Sequence, residues 1–218
     1  IISIFDFNKK EFTHFQSELD YDGAVKDVKI PVLEDRDGKI WVGTTTGIAQ
    51  FSPKTQEFGY FTFINKKGKS LTEVNVTALF RDKNGVLWAG TISGLYQFNF
   101  VSGSFDESQF ETGQSEKFSF DKICIRTITE DKNGCLIVGT EGNGLYVISP
   151  AGKNNYDIQN YTSENSDIGH NIIYSLIIDA SENLWIGTLQ GISKTDLKKK
   201  KFNLYRKSNS PNSIDLLG

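Results

Sequence analysis

Short apolar runs separated by turns organise this chain, and no helical stripe is sustained anywhere along it. Representative runs are Val74-Asn75-Val76-Thr77-Ala78-Leu79-Phe80 and Ile123-Cys124-Ile125-Arg126-Thr127-Ile128, both rich in β-branched residues. Nothing recurs with the 3.6-residue period of an amphipathic helix, so these runs predict strands. Acidic turns follow them: Asp35-Arg36-Asp37-Gly38, Asp82-Lys83-Asn84-Gly85 and Asp131-Lys132-Asn133-Gly134. An aspartate there accepts local backbone N–H bonds and glycine takes positive φ, which predicts hairpins. A second run follows, usually with tryptophan, then a short link and a glycine-led apolar run. An aromatic patch such as Phe58-Gly59-Tyr60-Phe61 or Phe202-Asn203-Leu204-Tyr205 closes most units.

The unit is written four times. Ile40-Trp41-Val42-Gly43-Thr44 recurs as Leu87-Trp88-Ala89-Gly90-Thr91, Leu136-Ile137-Val138-Gly139-Thr140 and Leu184-Trp185-Ile186-Gly187-Thr188. Successive Gly-Thr pairs are 47, 49 and 48 residues apart, and Asp35, Asp82, Asp131 and Asp179 stand eight positions before each glycine. Four antiparallel strands per unit of about 48 residues bury both faces only between neighbouring units, which predicts an all-β β-propeller. The tryptophans then fill the gaps between blades; a sugar-stacking platform is the sharper alternative. In the fourth turn, Asp179-Ala180-Ser181-Glu182-Asn183, the glycine is missing and Asn183 is expected to take its left-handed conformation.

Ile2 to Phe15 aligns without a gap on Ile48 to Phe61, placing the third and fourth strands of a preceding blade at the start. The predicted division is 1–22 for the end of that blade, 23–62, 63–110, 111–161 and 162–207 for four blades, and 208–218 for the start of another. Asn209-Ser210-Pro211-Asn212-Ser213-Ile214 reads as the loop introducing that further unit. The chain is therefore expected to be a fragment of a larger propeller array, and not to behave alone as a well-folded monomer.

Composition excludes more than it identifies. Hydrophobic residues make up 38%, charged residues 23%, and the net charge of −3 argues against nucleic acid as a partner. The only dense basic stretch, Lys198-Lys199-Lys200-Lys201, reads as a solvated hairpin turn. Cys124 and Cys135 flank one turn, and the implied register holds them ~15–20 Å apart, too far for a disulfide, so both are expected to be buried thiols. No glycine-rich phosphate loop and no zinc-spaced His/Cys cluster is present. The acidic turns lack the later bidentate glutamate of a calcium loop. No cofactor, metal or catalytic residue is expected.

The pattern Asp-Xaa-Xaa-Gly-Xaa-Leu-Trp-Ile-Gly-Thr-Xaa-Xaa-Gly-Leu resembles the repeat of two-component regulator propellers over nearly the whole chain. The resemblance implies the periplasmic sensor region of a hybrid two-component histidine kinase of the Bacteroidetes. It further implies attachment to the inner membrane through the parent chain, a homodimer in the full-length sensor, and an oligosaccharide or other small-molecule ligand that controls glycan-utilisation genes. The blades' other partners are the remaining blades of the same chain. A phosphoacceptor histidine needs a helical hairpin, so His14 and His170 read as structural or surface residues. Two readings compete with the sensor: a scaffold for protein–protein interaction, and a propeller lyase or glycosidase.

Ligand-contacting residues are sought on one rim of the propeller. Thirteen positions before each Gly-Thr glycine stand Ile30, Thr77, Arg126 and Tyr174, which vary in size and charge among apolar or small neighbours. Arg126 could pair bidentately with a carboxylated or sulfated sugar, and Tyr174 offers a ring face with a hydroxyl. Asn75, His170 and Asn171 precede the strands on the same rim. The links carrying Thr45, Glu141, Asn143 and Gln190 are expected to project there too. The bland reading is that all of these are ordinary solvated channel and loop residues.

Overall fold

The computed structural model describes residues 2–15, 30–112, 116–197 and 201–205. All regular structure among them is β. A first hairpin pairs β1 (Ile2–Asp6) with β2 (Glu11–Phe15), and its register, Ile2↔Phe15, repeats that of Ile48↔Phe61. The alignment of the N-terminal segment on a third and fourth strand is thus reproduced in pairing. The turn of four lysines and the loop at 209–214 fall largely or wholly outside the described residues.

Four sheets follow. Blade 1 comprises β3 (Val32–Glu34), β4 (Ile40–Gly43), β5 (Ile48–Ser52) and β6 (Glu57–Phe61). A small hairpin, β7 (Phe63–Ile64) and β8 (Ser70–Leu71), comes next. Blade 2 is β9 (Val76–Arg81), β10 (Leu87–Thr91), β11 (Gly94–Asn99) and β12 (Ser104–Glu107), followed by a second small hairpin, β13 (Phe110–Glu111) and β14 (Lys117–Phe118). Blade 3 is β15 (Ile125–Glu130), β16 (Leu136–Thr140), β17 (Leu145–Gly152) and β18 (Asn155–Tyr161). Blade 4 is β19 (Ile173–Ile178), β20 (Asn183–Thr188), β21 (Gly191–Asp196) and β22 (Lys201–Tyr205). Each blade is an antiparallel meander in sequence order, and β7 adds in parallel to the outer edge of blade 2, widening that sheet to six strands. The first strands β9, β15 and β19 pack side by side, as the innermost strands of a propeller do.

The core lies between blades. Trp41 is buried and packs on Phe61 of its own blade at 4.8 Å and on Phe98 and Phe105 of the next at 5.2 and 5.9 Å. Trp88 stacks on Phe110 at 6.1 Å and shares a cluster with Leu136 and Ile148 of blade 3. Trp185 is half-buried, with the Lys194 ammonium 4.8 Å above its ring.

Three of the four turn aspartates bind in two directions. In blade 1, Asp35 Oδ1 accepts the backbone N–H groups of Asp37 and Lys39, while Oδ2 accepts the Trp41 indole N–H at 3.0 Å. Asp82 takes Trp88 at 3.0 Å and Asp179 takes Trp185 at 2.8 Å. The six-residue spacing from aspartate to tryptophan therefore ties the turn to the interblade packing. The left-handed residue of the fourth turn corrects the expectation for Asn183: it is Glu182, at φ 66°. Glu182 N–H donates to the Asp179 carbonyl as Gly38 N–H does to Asp35, so the third residue after the aspartate takes positive φ in every turn. Asn183 instead donates its backbone and side-chain N–H groups to the Asp179 carboxylate. Cys124 and Cys135 are not joined in a disulfide, and they are half-buried rather than buried.

These carboxylates make stability depend on pH. Burial acts to raise the Asp35 carboxyl, but the bonds from Lys39, Trp41 and Asp37 and the charge of Arg81 bring it below its ordinary value. The Trp185 indole, then Asn183 and Ser181, hold Asp179 well below the usual carboxylate range. A group depressed in the folded state stabilises the fold above its unfolded value, about 4 for aspartate, and that contribution is lost as pH falls through the folded value. The melting temperature is therefore expected to drop between pH 5 and pH 2.5, and a flat profile across that window would contradict this role.

Candidate functional site

The links between second and third strands share a short-range design. Thr44, Thr91, Thr140 and Thr188 donate their hydroxyls to the carbonyls of Gly47, Gly94, Gly144 and Gly191 at 2.7–3.1 Å. The threonine oxygens in turn accept N–H groups from within the link, including those of Asn143 and Gln190. The threonine of each Gly-Thr pair thus closes a tight loop at one end of the blade. That loop meets the segment leading into the first strand: Ile92 N–H donates to Asn75, Glu141 N–H to Cys124, and Leu189 N–H to Ile172. It also reaches the next blade, where Gly142 and Gly144 N–H both donate to the Asn171 carbonyl. The two sets of candidates therefore do lie on one rim.

The variable position has a structural cause. In blade 2 the pairing runs Ala78↔Gly90 and then Val76↔Thr91, leaving Thr77 as the extra residue of a β-bulge. Arg126 is skipped in the same way between Ile125↔Thr140 and Thr127↔Gly139, as is Tyr174 between Ile173↔Thr188 and Ser175↔Gly187. A bulged residue sits outside the ladder, and bulges commonly re-aim side chains next to sites.

The bulges bring three candidates together. Arg126 forms an ion pair with Glu141 across its own blade, and its guanidinium lies 5.0 Å from the centroid of the Tyr174 ring in blade 4. Tyr174 is 42% exposed, so ring and ion pair both face solvent. Burial pushes the adjacent Cys124 thiol up, with Arg126 opposing.

The remaining candidates are engaged in bracing the rim. Thr77 donates its hydroxyl to the Ile125 carbonyl of blade 3. Asn171 accepts the Ser163 N–H and donates to Glu164 at 3.1 Å. Bonds from Thr162, Asn171 and Ser163 lower the Glu164 carboxyl to about 2. The His170 ring accepts the Ile172 N–H at 2.9 Å. Asn143 and Gln190 are exposed on the links, and Asn75 is half-buried. The Thr45 hydroxyl is buried without a hydrogen-bond partner.

Two features escape the sequence. Ile92 and Leu189 occupy the link position of Glu141 and are each 52% exposed, adding apolar surface to the rim. Their signal was an apolar residue directly after Gly-Thr, inside a tight loop. The β7–β8 hairpin also builds a polar cavity of about 300 Å³ from Lys66, Ser93, Tyr96, Glu107 and Asp121. Lys66 spans it, 2.9 Å from Asp121 and 3.9 Å from Glu107.

Residues 28–46 and 70–93 match the family described as two component regulator propeller. The same Asp, Gly-Thr and following Gly recur in the other two units, with Ile137 and Glu182 as the departures. No curated protein matches the chain significantly. Among solved structures, the chain is similar to PorZ, a surface component of the type-IX secretion system of Porphyromonas gingivalis, at 21% identity and a TM-score of 0.69; the match covers 88% of this chain and 28% of PorZ. It is similar also to the extracellular domain of a putative one component system from B. thetaiotaomicron, at 24% identity and 0.66, covering 88% and 24%. A streptogramin B lyase matches at 14% identity and 0.58, covering 96% and 62%. These likenesses establish the propeller fold. The chain spans about a quarter of the length of the first two.

Proposed function

We propose that this chain is the ligand-sensing propeller segment of an extracytoplasmic, inner-membrane two-component sensor, and that it detects an oligosaccharide. The reading rests on the regulator-propeller repeat, and the observation that carries it to a ligand is the Arg126–Glu141–Tyr174 group at the bulged rim. The segment itself is read as non-catalytic; kinase chemistry and a homodimer belong to the parent chain.

The chemistry of the rim narrows the ligand. Glu141 already compensates the charge of Arg126, so an anionic sugar would have to displace a carboxylate to reach it. A neutral oligosaccharide instead meets guanidinium donors, carboxylate acceptors and an aromatic face, with exposed Ile92 and Leu189 beside them for its C–H surfaces. This favours a neutral ligand over the carboxylated or sulfated sugar that Arg126 alone brings to mind.

Calorimetry of the full-length protein against neutral and anionic oligosaccharides tests this directly. A neutral oligosaccharide should bind, and Arg126→Ala with Tyr174→Ala should weaken it at least tenfold. The melting point should stay nearly unchanged, because a half-exposed ion pair contributes only about 0–1 kcal/mol. Unchanged affinity in the double variant places the ligand elsewhere, and absence of any saccharide binding favours the protein-interaction scaffold.

A further inference from the structure

The interface between blades 3 and 4 departs from the others. At the blade 1–2 interface Trp41 fills the space between Phe61 and Phe98, its N–H held by Asp35. The corresponding set at the blade 3–4 interface is Ile137, Tyr161, Thr195 and Asp131, by repeat position and strand register. Two of the four are truncated: isoleucine replaces the indole, and threonine stands where blade 2 carries Phe98 and blade 3 Ile148. The neighbours have not closed the gap. A cavity of about 230 Å³ remains, lined by these four residues with Leu145, Leu184 and others, and its lining reaches Asn133 on the exposed turn.

The polar end of the missing tryptophan's site persists. Asp131 Oδ1 accepts the N–H groups of Asn133 and Cys135, as its counterparts do. Its Oδ2, which in the other blades accepts an indole N–H at 2.8–3.0 Å, has here a 3.5 Å contact from the Asn133 side chain. The cavity thus keeps an apolar slot with a carboxylate oxygen at its end. An apolar cavity of about 150 Å³ is known to admit benzene, so about 230 Å³ leaves room for a fused bicyclic ring.

We propose that this cavity is a binding site for a small planar aromatic heterocycle bearing one N–H donor, of the indole class. Such a ligand occupies the volume that a tryptophan takes in the other blades and donates its N–H to Asp131 Oδ2. The site's lining runs from the turn that joins first and second strands to Leu145 and Tyr161 and includes none of Arg126, Glu141 and Tyr174, so it is distinct from the sugar site. By filling a gap in the interface it stiffens the contact of blades 3 and 4 when occupied.

The test uses the full-length protein with indole, 1-methylindole and 5-bromoindole. Indole should bind saturably by calorimetry and raise the melting temperature. 1-Methylindole, which lacks the N–H, should bind at least tenfold more weakly. Ile137→Trp should abolish indole binding and itself raise the melting temperature. In crystals soaked with 5-bromoindole, anomalous scattering should place the bromine between Ile137 and Leu184, an observation that does not depend on any variant folding. Bromine absent from the cavity at saturating ligand, or indole affinity unchanged by Ile137→Trp, overturns the site. Equal affinities for indole and 1-methylindole overturn the role of Asp131.

Discussion

Replacing Trp88 with alanine is expected to cost the propeller about 3–5 kcal/mol, the range for emptying a large aromatic core position. The side chain is 8% exposed and is packed among residues from both blades it joins. Truncation removes the stacking on Phe110 and opens the cluster that holds Leu136 and Ile148. It also strips Asp82 Oδ2 of its indole donor, which loosens the turn that anchors the strand. Blades 2 and 3 would then meet across a hole lined by leucine, isoleucine and phenylalanine, which a repeat array repairs poorly because each blade packs only on its neighbours. Trp185→Ala should cost clearly less, since that ring is half-buried among the described residues. Urea denaturation followed by circular dichroism measures both. A loss below about 1 kcal/mol for Trp88→Ala would contradict the interblade role and restore the reading of an exposed stacking platform.

Much of this was legible because a repeat repeats its physics. Two features in four copies, the aspartate eight residues before the glycine and the Gly-Thr pair itself, were enough to place turns, strands and blade contacts. The N-terminal hairpin was readable for the same reason: Ile2–Phe15 copies a segment whose pairing the other blades define. What did not repeat was missed. The β7–β8 hairpin is made of two-residue strands, too short for an alternating pattern to show. Its signal was the turn Asn65-Lys66-Lys67-Gly68, in which Asn65 caps Lys67 and Lys69 as the aspartates cap their own turns. The glycine-less turn was misassigned because asparagine is the better left-handed residue by propensity, whereas the hydrogen-bonded turn fixes the position and takes whatever stands there. At the rim, Arg126 and Glu141 were each singled out but not as a pair. Fifteen residues separate them, and they meet only because a bulge turns Arg126 out of the ladder toward the link.

The glycine of each Gly-Thr pair carries the second large effect. A methyl group at Gly90 would lie 2.6 Å from Ile125 Cγ2 and 2.9 Å from Ile125 Cβ, in the first strand of the next blade. Gly43 meets Val76 at 2.5 Å and Gly139 meets Ile173 at 2.6 Å, so the same close approach sets the blade spacing throughout. Because Gly90 is not at positive φ, the cost of alanine there is steric alone. Gly90→Ala should therefore destabilise by about 1–3 kcal/mol, the usual range for overpacking, and Gly90→Val by more. Gly59→Ala serves as the control: its nearest neighbour would be 3.5 Å away, an ordinary contact, and it should be close to neutral. The decisive measurement is a double-mutant cycle with Ile125→Ala. If the clash with Ile125 is the cause, the two changes together should cost less than the sum of their separate effects, with a coupling of about 0.5–3 kcal/mol. Strict additivity would mean that Gly90 is required for some reason other than the approach of the neighbouring blade.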